Sequence, residues 1–241
     1  IITVKIDVVI LAAGKGTRMY SDTPKVLHRI GGKPMLRHVL DTATNLGHDA
    51  QVTVVVGHES GQIREELADS VAFVEQEPQL GTGHAVMQAL PAMRSESLCL
   101  VLYGDVPLIE ASTLKQLLAI SSLDTVSILT AEVADATGYG RIVRNQSRDI
   151  VEIVEQRDAS SAQLAIKEIN SGIMCVPQSL LSRWLPMLSS ENSQNEYYLT
   201  DLVKLAVADE VPVVSAQPAN LYEIEGVNNK IQLAELERIF C

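Results

Sequence analysis

The sequence lacks the features that mark membrane, secreted or nucleic-acid-binding proteins. No apolar run approaches the ~20 residues that span a bilayer. The N-terminus has no basic region followed by a long apolar stretch, so we expect no signal peptide. The formal net charge of −11 over 241 residues argues against nucleic acid or an anionic membrane as the main partner. We therefore expect a globular, cytoplasmic protein whose partners are neither nucleic acid nor membranes.

Cysteine and histidine are too few and too scattered to indicate a thiolate or zinc centre. Cys99, Cys175 and Cys241 have no metal-ligand or redox spacing. Cys99 and Cys175 lie in apolar runs, where we expect buried free thiols and hence a reducing compartment. The five histidines include no His-x-x-x-His pair, which argues against zinc.

Two common phosphate-binding loops are also absent. No stretch has the glycine and lysine spacing of a Walker A loop. The dinucleotide fingerprint requires glycine or alanine and a helix start where this chain has Met19, and Pro24 follows too soon for that helix.

An apolar run that ends in a glycine-rich, cationic loop occupies residues 8–25. Residues 8–13 have the composition of a central strand in a parallel sheet. Gly14 and Gly16 follow, and glycine lets backbone N–H groups come close to a ligand. Arg18 and Lys25 add two positive charges to the loop. The pattern predicts a phosphate cradle, and the alternative is an ordinary solvated turn.

Strands and helices alternate through the first half of the chain. The pattern predicts strands at 8–13, 51–56, 71–75 and 98–102, and helices at 34–46, 63–68 and 85–93. This rhythm is typical of an α/β, Rossmann-like fold: a mostly parallel twisted sheet with helices on both faces. Ligands of such sheets bind beyond the carboxyl ends of the strands.

Polar residues follow two of these strands. The amides of Gln76 and Gln79 suit the edge of a nucleobase, and Gly81 would let backbone groups approach it. Thr82 belongs to the same loop, or else caps the helix at 85–93. Asp105 follows the strand at 98–102, where it is either a turn residue or a ligand of Mg²⁺ among phosphates.

The second half has shorter strands with alternating polarity, at 150–155 and 168–176. They predict a smaller antiparallel lid that carries an acceptor site. Gly140, Glu155 and Asn170 suit a sugar there, although Glu155 could be a solvated strand residue and Asn170 a bulge. The pattern further predicts helices at 113–120, 180–188, 199–208 and 230–240, and strands at 125–133 and 211–216, the last one buried. Asn228 either caps the final helix or reaches back to a metal at Asp105.

Two strings together resemble a known family. They are Leu11-Ala12-Ala13-Gly14-x-Gly16-Thr17-Arg18-Met19 with Pro24-Lys25, and Gln76-x-x-Gln79-Leu80-Gly81-Thr82-Gly83-His84-Ala85. The first resembles the signature of nucleotidyltransferases that join a nucleoside triphosphate to a sugar 1-phosphate. From residue 8 to its end, the chain resembles the N-terminal uridylyltransferase domain of bacterial bifunctional N-acetylglucosamine-1-phosphate uridyltransferase/glucosamine-1-phosphate N-acetyltransferases.

The resemblance implies a reaction and a set of residues. UTP and N-acetyl-α-D-glucosamine 1-phosphate would give UDP-N-acetylglucosamine, a precursor of peptidoglycan and lipopolysaccharide, and pyrophosphate. The catalytic cations would be Arg18 and Lys25, and the Mg²⁺ ligands would be Asp105 and Asn228. Substrates would contact Leu11, Ala12, Ala13, Gly14, Lys25, Gln76, Gly81, Thr82, Tyr103, Gly104, Asp105, Gly140, Glu155, Asn170 and Asn228, with Tyr198 and Thr200 as further candidates.

The resemblance also implies a domain organisation. Residues 1–227 would form the nucleotidyltransferase domain, and residues 228–241 a helix that leads to a left-handed β-helix. No hexapeptide repeat of that β-helix occurs here. We therefore expect no acetyl transfer, and a homotrimer only where the missing domain is present. The alternatives are another sugar-1-phosphate nucleotidyltransferase and a non-catalytic regulatory domain of the same fold.

Overall fold

Nine strands form one mixed sheet and two short strands form a separate ribbon in the computed structural model, which describes residues 3–47 and 49–241. The strands are β1 (Lys5–Leu11), β2 (Arg29–Ile30), β3 (Lys33–Pro34), β4 (Ala50–Val56), β5 (Ala72–Glu75), β6 (Ser97–Tyr103), β7 (Val126–Glu132), β8 (Arg141–Arg144), β9 (Ile150–Val154), β10 (Glu168–Pro177) and β11 (Val213–Ala216). The helices are α1 (Met35–Thr44), α2 (Gly61–Leu67), α3 (Thr82–Ala89), α4 (Ala111–Ala119), α5 (Ser161–Leu164), α6 (Gln178–Trp184), α7 (Leu202–Ala208) and α8 (Lys230–Phe240). None of the helices in these two ranges has both the length and the apolar character needed to cross a bilayer.

The first half forms a four-stranded parallel part of the sheet, in the order β5-β4-β1-β6. The side chains of β1 alternate between two cores because successive strand residues point to opposite faces. Val8 and Ile10 pack with α1, α2 and α4, whereas Val9 packs with α3, α6 and α7. The predicted Rossmann-like α/β sheet with helices on both faces is therefore confirmed.

Strand β10 joins the two halves of the molecule. It lies between β6 and β7, antiparallel to both, and its first residues also pair with β8 of the β8–β9 hairpin. The predicted antiparallel addition is present, but it shares β10 with the main sheet rather than standing apart from it. The buried strand predicted at 211–216 is β11, a half-buried edge strand parallel to β7.

Two predicted helix starts, those of α3 and α7, and one predicted N-cap, that of α8, are wrong. Helix α3 begins at Thr82, with Gly81 as its N-cap, and the Gly83 N–H donates to the Tyr197 carbonyl at 2.8 Å. The cap of α8 is Asn229, which accepts from the Gln232 N–H at 2.9 Å, so the prediction that Asn228 caps this helix is wrong. Helix α7 begins at Leu202, after a single 3₁₀ turn at Leu199–Asp201.

Helix α8 packs beneath the glycine-rich loop. Its Leu236 is buried in a small core with Met19 and Ile30. The Phe240 ring lies so close to Gly31 that a Cβ there would clash with it. The turn that carries Arg18 is thus anchored through its neighbour Met19.

Candidate active site

A cavity of about 230 Å³ opens at the carboxyl ends of β1, β5 and β6. A second cavity of about 850 Å³ shares part of the same wall and extends over residues 21–24 and 57–63. Predicted site residues that line the first cavity are Leu11, Ala12, Ala13, Gly14, Lys25, Gln76, Gly81, Thr82, Tyr103 and Asp105. Val26, Gln79, Ala85 and Glu196 complete the lining. The predicted residues from separate loops therefore meet at one edge of the sheet.

Lys25 lies between two oxygen acceptors at this edge. Its Nζ donates to Asp105 Oδ2 at 2.6 Å and to Asn228 Oδ1 at 3.2 Å. Both side chains of the Lys25–Asp105 ion pair are largely buried. Asp105 and Asn228 thus converge on the Lys25 ammonium, and their role as metal ligands stays a prediction. No group of three His, Cys, Asp or Glu side chains with metal-ligand geometry occurs in residues 3–47 and 49–241.

The glycine-rich loop folds tightly against Lys25. Gly16 has φ +60°, and a Cβ on it would lie 2.5 Å from the Lys25 Cβ, so only glycine fits without a shift of the loop. Arg18 lies on the following 3₁₀ turn, Thr17–Met19, and its side chain is exposed. It does not line the first cavity, and its catalytic role stays a prediction.

Gly104 is a packing position in this structure. It is buried, and a Cβ there would meet Val26 at 3.0 Å and Leu36 at 3.2 Å. Its backbone N–H donates to the Leu11 carbonyl at 3.0 Å, which ties the end of β6 to the end of β1. The predicted substrate contact of Gly104 stays a prediction.

Gln76 uses one edge of its amide within the protein. Its side chain is 4% exposed, and Nε2 lies 3.0 Å from the Gly81 carbonyl and 3.1 Å from His84 Nδ1. Burial lowers the pKa of His84. The Gln79 amide donates to the Ala13 carbonyl and so joins the same loop to the end of β1.

The segment 196–199 covers the start of α3. The Tyr197 N–H donates to the Leu80 carbonyl at 2.8 Å, and the Leu199 N–H donates to Thr82 Oγ1 at 3.0 Å. A Cβ on Gly81 would lie 2.7 Å from the Tyr197 carbonyl oxygen. Position 81 therefore has no room for a side chain, because the segment 196–199 passes over it. The Thr82 hydroxyl binds that segment and does not cap its own helix.

The three predicted sugar residues form a second cluster. The Gly140 carbonyl accepts from the Asn170 N–H at 2.9 Å, and a Cβ on Gly140 would lie 3.5 Å from Glu155 Oε1. Thr200 Oγ1 donates to Glu155 Oε1 at 3.1 Å. Burial raises the pKa of Glu155, with smaller contributions from the charges of Asp201 and Asp158.

Tyr198 and Asn170 have other partners inside the protein. The Tyr198 hydroxyl donates to Asp158 at 3.2 Å and accepts from the Gln194 amide at 2.9 Å. Asn170 Oδ1 accepts from the Gly172 N–H at 3.1 Å, within an irregularity of β10, so the predicted bulge is present there. The substrate roles of both residues stay predictions.

Tyr103 connects the two clusters. Its ring touches the backbone of Gly172, because a Cβ on that glycine would lie 2.8 Å from the ring. Burial raises the pKa of Tyr103, and the nearby charges of Asp105 and Glu155 raise it further. Tyr103 thus lies near an acidic residue of each cluster.

The residues of this region that the sequence did not mark include Glu196 and Gly172. Glu196 lines the first cavity, and Gly172 makes room for Tyr103. No local pattern marks either residue, because both contacts join segments far apart in the chain. The glycine pair Gly81 and Gly83 was the one available sign that a backbone passes close to α3.

Comparison with known proteins identifies the family. Residues 8–172 match the MobA-like NTP transferase domain. The chain belongs to this family. The predicted nucleotidyltransferase class is therefore confirmed.

The relatives of this NTP transferase domain include bifunctional proteins. The chain is 58% identical to the bifunctional protein GlmU of Cupriavidus necator over 234 residues, which cover 97% of this chain and 51% of that protein. It is 55% identical to the bifunctional protein GlmU of Neisseria meningitidis serogroup C over 235 residues, with 98% and 51% covered. The chain thus spans about half the length of the curated relatives it matches.

A solved structure shows the same fold at low identity. It is a UDP-glucose pyrophosphorylase complexed with UDP-glucose, with a TM-score of 0.78 and 18% identity, and the match covers 99% of this chain and 98% of that chain. The predicted nucleotide-diphospho-sugar transferase type of fold is confirmed.

Proposed function

We propose that this NTP transferase domain transfers the uridylyl group of UTP to N-acetyl-α-D-glucosamine 1-phosphate, which gives UDP-N-acetylglucosamine and pyrophosphate. The observation that carries the proposal is the position of Lys25 Nζ between Asp105 and Asn228, at the wall of a cavity that Gln76 also lines. Phosphate-binding charge and base-binding amide thus share one cavity. The identity of 52–58% to GlmU proteins supports this choice of substrates.

Asp105 and Asn228 would hold Mg²⁺. The fit rests on their oxygens, which already converge on the Lys25 ammonium, and on the hard oxygen chemistry that Mg²⁺ prefers. When bound, Mg²⁺ would polarise phosphate oxygens and offset their charge. Lys25 would then place its own charge against the triphosphate.

The chain's own residues would act mainly by position and charge. An oxygen of the sugar phosphate attacks the α-phosphorus of UTP in line, the new P–O bond forms, and the bond to pyrophosphate breaks. This oxygen is already anionic at neutral pH, so the reaction requires no general base. Arg18 and Lys25 would stabilise the negative charge that develops on the leaving pyrophosphate.

Two subsites would set substrate choice. Gln76 and Gly81 would hold the uracil edge, with the loop from Leu11 to Gly14 against the nucleotide. The cluster of Gly140, Glu155 and Asn170 would hold the amino sugar through a carboxylate, an amide and a backbone group. Tyr103 lies between the two subsites.

Pyrophosphate release tests the proposal. The purified chain is assayed with UTP, CTP, ATP, GTP or dTTP against N-acetylglucosamine 1-phosphate, glucosamine 1-phosphate or glucose 1-phosphate, with Mg²⁺. We expect the highest kcat/KM for UTP with N-acetylglucosamine 1-phosphate. A clear preference for another pair would establish a different sugar-1-phosphate nucleotidyltransferase, and no release with any pair would favour a non-catalytic domain.

A further inference from the structure

The contacts of Gln76 determine which atom of its amide is free. The Gly81 carbonyl can only accept, so the amide atom 3.0 Å from it is the NH₂ group, Nε2. Nε2 has a second contact, 3.1 Å from His84 Nδ1. The amide oxygen Oε1 has no hydrogen-bond partner in the part of the chain that the structure describes, and it keeps some accessible surface. Since Gln76 lines the first cavity, Oε1 is the atom that remains for a ligand there.

His84 completes this arrangement from α3. Because the Gly81 carbonyl fixes the NH₂ group of Gln76 on this side, the 3.1 Å contact is a hydrogen bond when His84 Nδ1 is the unprotonated ring nitrogen. The ring itself is restrained by Tyr197, whose ring stacks on it at a centroid distance of 6.4 Å. A rotated amide would place Oε1 against two acceptors and lose both hydrogen bonds.

The fixed oxygen distinguishes the two pyrimidines. Uracil N3 carries a hydrogen and can donate to Oε1. Cytosine N3 in the same pose presents a lone pair, so two acceptors would face each other. A site built around such a hydrogen bond rejects the analogue that cannot make it, because the buried polar group is left unpaired.

We propose that His84 is a positioning residue that holds the Gln76 amide with Oε1 toward the base and thereby selects uracil over cytosine. The inference rests on the proposed uridylyl transfer. It assigns no contact between His84 and the nucleotide. If His84 is replaced by a residue without an acceptor, one of the two hydrogen bonds that resist amide rotation is lost.

The test compares His84→Leu with His84→Asn. Leucine removes the acceptor at similar size, whereas the asparagine side-chain oxygen can replace Nδ1. The readout is the ratio of kcat/KM for UTP to that for CTP, measured with the two triphosphates in competition. We expect leucine to lower the ratio by about fivefold to tenfold, the worth of one hydrogen bond, and asparagine to keep it within about twofold.

The outcomes separate this inference from the proposed function. If the leucine variant loses activity with both triphosphates equally, His84 is only structural and the inference is wrong. If His84→Leu does not fold, His84→Ala replaces it, because alanine is the best helix former. A wild-type chain that does not use UTP would overturn the proposed function and this inference with it, whereas wild-type UTP turnover with an unchanged variant ratio would overturn the inference alone.

Discussion

The ring of Tyr103 lies against the backbone of Gly172, and a methyl group on that glycine would approach the ring to 2.8 Å. Tyr103 ends β6 and lines the cavity at the glycine-rich loop. Gly172 lies in β10, two residues after Asn170. The contact therefore joins the strand that ends at the proposed nucleotide subsite to the strand that carries Asn170 of the proposed sugar subsite.

Gly172→Ala should destabilise the protein and impair its turnover. The substitution meets two penalties: a backbone at φ +89° and a clash with Tyr103. Gly138→Ala is the matched control, because Gly138 has φ +88° but open space around its Cβ position. We expect the Gly172 variant to lose ~1–3 kcal/mol more in urea unfolding than the control. Equal losses would show that the clash with Tyr103 contributes nothing.

Asp105→Asn should remove the negative charge of the proposed metal site while keeping its shape. We expect pyrophosphate release to fall by at least ~10²-fold, the scale for loss of one electrostatic group in an active site, and the Mg²⁺ concentration for half-maximal rate to rise. Asp124→Asn, on an exposed loop before β7, is the control. Near-normal turnover of a folded Asp105→Asn protein would rule out the metal role.

Arg18→Ala should lower kcat much more than it raises KM. The side chain is exposed, so its removal should leave the melting temperature unchanged. We expect kcat to fall on the order of 10²–10³ if Arg18 stabilises charge that develops in the transition state. Arg18→Lys keeps the charge and should recover part of that loss. A change in KM alone would make Arg18 a ground-state ligand instead.

Glu155→Gln should stabilise the protein at neutral and alkaline pH. Burial raises the pKa of Glu155, so the folded state binds its proton more tightly than the unfolded state does. Stability is therefore lost as the pH rises through the raised pKa, and the ionised form is the costly one. Glutamine avoids that cost and can still accept from Thr200.

Thermal melts of Glu155→Gln at several pH values check this sign. We expect a melting temperature about 2–4 °C above the wild type at pH 8, and no difference at pH 4, where both side chains are neutral. Glu65→Gln, at an exposed position of α2, should show no such trend. A stabilisation that is the same at both pH values would contradict the proposed cause.

The sequence was informative about the fold because a buried parallel strand has a local signature. Val8, Val9 and Ile10 form an unbroken apolar run, since the strand contacts helices on both faces. The residues that follow such runs were correctly placed at one sheet edge, as the contact of Lys25 with Asp105 shows.

Contacts between segments far apart in the chain could not be predicted from local sequence patterns. Thr82 has the chemistry of a cap, but its oxygen accepts from Leu199 instead. Asn228 and Asn229 are equally good caps by type, and the structure uses Asn229 because Asn228 contacts Lys25. For the same reason, the sequence did not predict that β10 pairs with both the main sheet and the β8–β9 hairpin. The order of strands in a sheet depends on contacts between distant segments.

The position of β10 also bears on whether the protein can be divided. This strand pairs with β6 on one side, with β7 on the other, and with β8 at its start. A cut between the two proposed subsites would leave a long row of unpaired backbone groups on each fragment. We therefore expect the two proposed subsite regions to unfold as one cooperative unit, and limited proteolysis to release neither of them as a stable, independent piece.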